Sequence, residues 1–275
     1  MAASFLDSID WTRPWFASIR PAAEQIIAHD DWLTALNERS KALGLDNHRG
    51  LPLSFVDQAS LPPGSAYESF ISATGCIPTR DNPHDFFNAL VWLSFPRIKR
   101  QINALQAAQI ERRGVGSSRG AARDAATILD ENAALLVVSG SEQGGALARA
   151  LREHAWQAAF IDQGESFGRH AEVWLFGHAL LEKLLTPYKA ITAHAWLIEA
   201  PEDFHSKSRD ARREWMDEQV ASELAAELAN GDGSRLDTAR FTPLPVLGIP
   251  GWWPGQDRAF YADATVFRPR RSSRA

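Results

Sequence analysis

Apolar positions along this chain recur mainly with a helical period, and short alternating or continuous apolar runs interrupt that pattern. Residues 10–45 predict helix. Pro21 opens one segment that carries Ala22, Ala23, Ile26 and Ile27. Asp30 or Asp31 caps a second, with Trp32, Leu33, Leu36 and Leu43 as its stripe and Gly44 as its stop. Between 46 and 82 the pattern changes. Leu51–Val56 alternates as a strand does, Leu61-Pro62-Pro63-Gly64 is a turn, and Tyr67–Thr74 predicts a second strand. Helices follow over about 83–94 and 96–111, divided at Pro96, and over 121–131. The run Ala133–Val138 predicts a buried strand. A helix over 142–153, a strand over 172–176, a helix over 178–185 and a strand over 191–198 come next. Residues 209–229 form the longest amphipathic helix, with Trp215, Val220, Leu224 and Leu228 inward, and 242–256 is a Pro-, Gly- and Trp-rich strap.

Helices and short strands therefore mix without a regular βαβ rhythm. That predicts an α+β fold, a helix-rich single domain over 1–267 around a small mixed or antiparallel sheet, with 268–275 as a basic, frayed tail. The 275-residue length suits one large core, and 45% apolar with 23% charged residues is ordinary globular usage. Ten tryptophans predict a large aromatic core.

Composition also narrows function. A net charge of -5 offers no global basic field and argues against nucleic acid as a partner. The only cysteine, Cys76, has no disulfide partner and cannot build a cysteine zinc site, which points to a reducing, cytoplasmic compartment. The N-terminus lacks a signal-peptide pattern, and no apolar run approaches the roughly 20 residues that span a bilayer.

Candidate chemistry lies where polar residues interrupt apolar segments. In Asn82-Pro83-His84-Asp85-Phe86-Phe87-Asn88, Asn82 reads as an N-cap, Pro83 as the first helical residue and Asp85 as the third, a capping box with Asp for Glu. The apolar residues after it cover nearly the whole helical circumference, so His84, Asp85 and Asn88 need partners in a buried setting. Asp130 and Glu131 immediately precede the buried strand, where carboxylates lose water and can bind a divalent cation or do acid–base work. His178 and Glu182, four apart, border the apolar face of Leu180, Leu181, Leu184 and Leu185, and Glu182 reads as the orienter of His178. His194 falls on the next strand, so His178, Glu182 and His194 form a three-donor set for a divalent metal, although no HExxH motif is present. The catalytic candidates are His84, Asp85, Asp130, Glu131, His178 and Glu182. Each group also has a purely structural reading as a local cap or pair.

From Arg97 to Arg123, seven basic residues face one acid, Glu111, and 112–120 reads as a mobile cationic, glycine-bearing loop. Three functional readings result. The first is an acid–base or metal-assisted hydrolase acting on a small-molecule ligand at one polar His/Asp/Glu cleft. The second is a non-catalytic binding or regulatory protein whose basic loop 112–120 takes a phosphate-bearing or nucleic-acid ligand. The third is a nuclease-like site from His84, Asn88, Lys99 and Asn103, for which no histidine-bearing strand stands upstream.

The motifs NPHDFFNALVWLSFPRIK (82–99), RDAATILDEN (123–132), FGHALLEKLLTPY (176–188) and PLPVLGIPGWW (243–253) are together similar to a bacterial (proteobacterial-type) family classed as a domain of unknown function. The resemblance spans roughly 10–270 and implies a one-domain bacterial protein. It carries no activity, cofactor or site residue with it.

Overall fold

The structure is a computed structural model that describes residues 5–114, 120–229 and 236–270, the side chain of residue 113 excepted. Most of the cationic loop expected over 112–120, and the last five residues of the basic tail, lie outside the described residues. After two 3₁₀ turns come α1 (Arg20–Ile27) and α2 (Trp32–Ala42), the latter capped by Asp31 through the N–H groups of Leu33 and Thr34. Strand β1 (Ser54–Asp57) pairs in parallel with β2 (Cys76–Thr79) across α3 (Tyr67–Thr74).

The segment 67–74 is thus a helix and not the expected strand. Its aromatic and β-branched content favours strand, but Tyr67, Phe70, Ile71 and Thr74 stand at i, i+3, i+4 and i+7, a helical face. Gly75 ends that helix at φ 74°, and a Cβ there would lie 2.4 Å from the Pro52 carbonyl oxygen.

Next come α4 (Pro83–Ser94), α5 (Pro96–Arg113) and α6 (Ala121–Asn132). Residues Asp85–Ser94 of α4 are all buried, as its all-round apolar pattern requires. The α6 helix runs without a loop into β3 (Ala133–Ser139), which leads to α7 (Glu142–Arg152), β4 (Ala171–Leu175), α8 (His178–Lys183) and β5 (Thr192–Ala200). The long helix α9 (Arg209–Ala229) precedes β6 (Thr242–Pro245) and the short α10 (Arg258–Tyr261). The main sheet has the order β4-β3-β5-β6, with β3 and β5 parallel and the two outer pairings antiparallel. This mixed sheet inside a helical shell is α+β. The strap expected over 242–256 contributes its first four residues as β6, and Pro243 and Pro245 are tolerated because β6 is an edge strand.

The core is continuous from Trp15, Phe16 and Phe87 through Trp92 to Leu135, Trp174 and Trp196. Helix α5 packs on α3, α6 and α9, and α4 packs on α8. Among the described residues, no helix is long and apolar enough to cross a membrane.

Candidate metal centre

The first residue of β3 gathers the polar groups. Because α6 ends directly on β3, its last turn, Asp130–Glu131–Asn132, is fixed at the start of that interior strand. The carbonyl of Ala133 accepts the N–H groups of Phe176 and Gly177 at 3.1 and 2.8 Å, which seats the start of α8 on the same spot. Gly177 is required by this approach, since a Cβ there would lie 2.5 Å from the backbone nitrogens of Asn132 and Ala133. The packing of α4 on α8 then brings His84, in the first turn of α4, against His178, in the first turn of α8.

His84 Nε2 and His178 Nε2 stand 3.2 Å apart, and His178 Nε2 is 3.5 Å from Glu131 Oε2. One ligand atom from each of the three residues falls within 4.8 Å of the other two. Two ligands at zinc-like bond lengths and the tetrahedral angle would be about 3.3–3.4 Å apart. The observed separations bracket that value.

Hydrogen positions follow from the surrounding bonds. His84 Nδ1 lies 2.8 Å from Glu182 Oε2, so it donates to the carboxylate and leaves a lone pair on Nε2. Among the described residues, His178 Nδ1 is buried without a hydrogen-bond partner, with Asp130 Oδ2 3.9 Å away. If His178 carried its proton on Nε2, the Nδ1 lone pair would be buried facing a carboxylate. With the proton on Nδ1, the lone pairs of both imidazoles and the Glu131 carboxylate converge with no hydrogen between them. A divalent cation reconciles the second arrangement, and a carboxylate behind a metal-binding imidazole is the usual second layer of such a centre.

The electrostatics agree. Burial pushes His178 down to about 4, so the ring is neutral as a ligand must be. Burial and the neighbouring Asp130 charge raise Glu131. Burial also works to raise Asp130, but the Lys99 ammonium, with His178 and His84, outweighs it and holds that carboxyl below its ordinary range. His178 is deep, while the side chains of His84, Glu131 and Glu182 keep 32%, 40% and 40% of their exposure, so the centre opens to solvent on one side.

The structure brings together five of the expected residues, His84, Asp130, Glu131, His178 and Glu182, with changed partners. Glu182 does not orient His178 on its own helix; it reaches across to His84. Asp85 is turned away. Its carboxylate takes the Arg80 backbone N–H at 2.7 Å and the Arg80 guanidinium at 2.8 and 2.9 Å, while its own N–H is capped by Asn82. His194 does not meet His178 and Glu182. Its Nδ1 accepts from Asn132 Nδ2 at 3.1 Å and its ring stands edge-on to Phe241.

Further polar groups lie behind the centre. Lys99 is buried and pairs with Asp130, donates to Asn88 Oδ1 at 2.8 Å and lies 5.3 Å from the Trp92 ring centre. Asn88 Nδ2 in turn donates to the Tyr67 hydroxyl at 3.1 Å. Asn103 Nδ2 donates to Glu68 Oε2 at 2.7 Å, and burial with the nearby Asp130 charge raises the Glu68 carboxyl. The signal for Lys99 was its place with Asn103 and Gln106 at i, i+4 and i+7, a buried polar stripe on α5. Glu68 gave no signal while its segment read as a strand.

A cleft of about 660 Å³ opens elsewhere, between α1, α2, α5 and α9. Its arginines, Arg39, Arg97, Arg100 and Arg213, are matched by Asp46, Asp210, Glu214 and Asp217, and none of its lining residues belongs to the histidine centre.

The chain belongs to a family described as "Protein of unknown function (DUF3025)", whose model matches residues 53–271. Every residue of the centre lies inside that span. No curated protein and no solved structure matches the chain.

Proposed function

We propose that the protein is a metal-assisted hydrolase that holds one divalent cation, zinc by ligand type, through His84 Nε2, His178 Nε2 and the Glu131 carboxylate. The observation that carries this reading is the meeting of three lone-pair donors at 3.2 and 3.5 Å while both Nδ1 atoms face carboxylates. Three protein ligands beside a solvent-open side is the pattern of a catalytic site, since a structural site closes its fourth position. The cation would supply Lewis acidity, lowering the pKa of a bound water and polarising a carbonyl or phosphoryl oxygen. Glu182 fixes the tautomer and direction of His84. The lack of a basic field and the free Cys76 thiol fit a small-molecule substrate in the cytoplasm.

The test is hydrolysis of simple carboxylic ester, amide, phosphomonoester and phosphodiester substrates by chelator-stripped and zinc-reloaded protein. Turnover that vanishes on stripping, returns with zinc and is lost in Glu131→Gln is expected. A protein that takes up zinc but stays inert on every class would overturn the hydrolase reading.

A further inference from the structure

We infer that the buried Lys99–Asp130 ion pair is a positioning device for His178, one that sets how tightly the centre holds its cation. The inference rests on the metal-centre reading above.

Each imidazole has a carboxylate behind its Nδ1, but the two are not equivalent. Glu182 bonds His84 Nδ1 at 2.8 Å, whereas Asp130 Oδ2 stops 3.9 Å short of His178 Nδ1. The difference traces to Lys99. Its ammonium holds the other carboxylate oxygen, Asp130 Oδ1, and is itself anchored by Asn88 Oδ1 and the face of Trp92. Asn88 is fixed in turn by the Tyr67 hydroxyl. Asp130 is therefore tethered through α5 to α4 and α3, and it cannot close on His178 without leaving Lys99.

A buried Lys–Asp pair is poorly explained by stability alone, because apolar residues of similar volume usually serve as well or better. This pair ends beside a buried imidazole nitrogen, His178 Nδ1, that has no hydrogen-bond partner among the described residues. Placed there, Asp130 selects the Nδ1–H tautomer of His178 and so aims the Nε2 lone pair at His84 and Glu131. Lys99 offsets much of the Asp130 charge, so His178 receives a weaker push than His84 does. The centre thus has one firmly supported ligand and one loosely supported ligand.

The test compares zinc affinity, by chelator competition, and the visible spectrum of the cobalt-substituted full chain for the native protein, K99Q/D130N and N88A. K99Q/D130N keeps the volumes and a neutral hydrogen-bonded pair, so it avoids leaving one buried charge alone. It should weaken zinc binding about 10–100-fold, the usual effect of losing a second-layer partner, and it should shift the cobalt bands. N88A removes an anchor of Lys99 without touching Asp130 or a ligand, and it should move both readouts the same way by less. Affinity and cobalt spectrum matching the native chain in both variants would overturn the inference and leave the ion pair as packing. A native chain that takes up neither metal would overturn the metal-centre reading itself.

Discussion

Replacing Trp92 with Ala is the sharpest test of how the fold carries the site. The side chain is 1% exposed in the middle of α4, and Lys99 lies over its ring at 5.3 Å. Its Nε1 has no partner among the described residues, so the substitution breaks no hydrogen bond there and the cost is packing. Removing a fully buried Trp costs about 3–5 kcal/mol through lost transfer energy and the cavity left behind. Losing the ring face beneath a desolvated ammonium adds up to about 2 kcal/mol. In a chain of this size each kcal/mol moves the midpoint by about 2–4 °C, so a fall of roughly 6–28 °C is expected. Thermal unfolding followed by circular dichroism, with chelator present throughout, isolates the packing term from metal binding. Trp92→Phe keeps a ring under Lys99 and should lose far less. A midpoint within error of the native chain for Trp92→Ala would refute the central place given to α4.

Gly177→Ala should separate α8 from the α6–β3 junction, because the new Cβ would lie 2.5 Å from two backbone nitrogens. Zinc affinity should fall together with the midpoint, and unchanged affinity would show that the seating of α8 does not set the ligand geometry. Asp217 accepts the N–H groups of Arg97 and Ile98 at the start of α5, and burial pushes its carboxyl up to about 6. A raised folded pKa contributes stability that is fully present below the unfolded value of 3.8 and is lost as pH rises through about 6. The loss should be roughly 2–3 kcal/mol for a shift of that size, so Asp217→Asn should flatten the pH dependence of the midpoint between acid and neutral conditions. An identical slope in the variant would show that Asp217 is not its source. Cys76 is a free thiol 3.6 Å from Ser54 Oγ, so Cys76→Ser should keep the fold and any zinc, and loss of metal on that change alone would contradict the ligand set.

Elements with an unambiguous period were legible in the sequence. The α4 run, with Asn82 as cap and Pro83 as first residue, and the amphipathic α9 over 209–229 fall where the pattern puts them. The apolar run at 133–138 is the central strand because neighbours on both sides leave it no polar face. Residues 67–74 are ambiguous in the sequence because a short segment rich in Tyr, Phe and Ile satisfies strand composition and helical spacing together. At the site, the residues were legible but their pairings were not. Polar side chains flanking apolar runs must find partners, which singles out His84, Asp130, Glu131 and His178. Which partner each one takes depends on how helices pack. Glu182 is one turn from His178 along α8 yet bonds His84, because α4 lies against that face. His194 is close to His178 in sequence, but its register opposite Ala133 directs it to Asn132. Lys99 lies in a basic stretch that reads as solvated surface, and the contacts of α5 with α3 and α6 are what bury it.

If the proposal is right, His84, Glu131 and His178 hold one cation together. The most direct measurement is a zinc titration against a competing chelator for the native chain and for His84→Ala, Glu131→Ala and His178→Ala, each first shown to be folded by circular dichroism. One tightly bound zinc per native chain and loss of that binding in all three variants are expected. A native chain that does not compete for zinc, or folded variants that bind it as the native chain does, would rule out the three-residue centre.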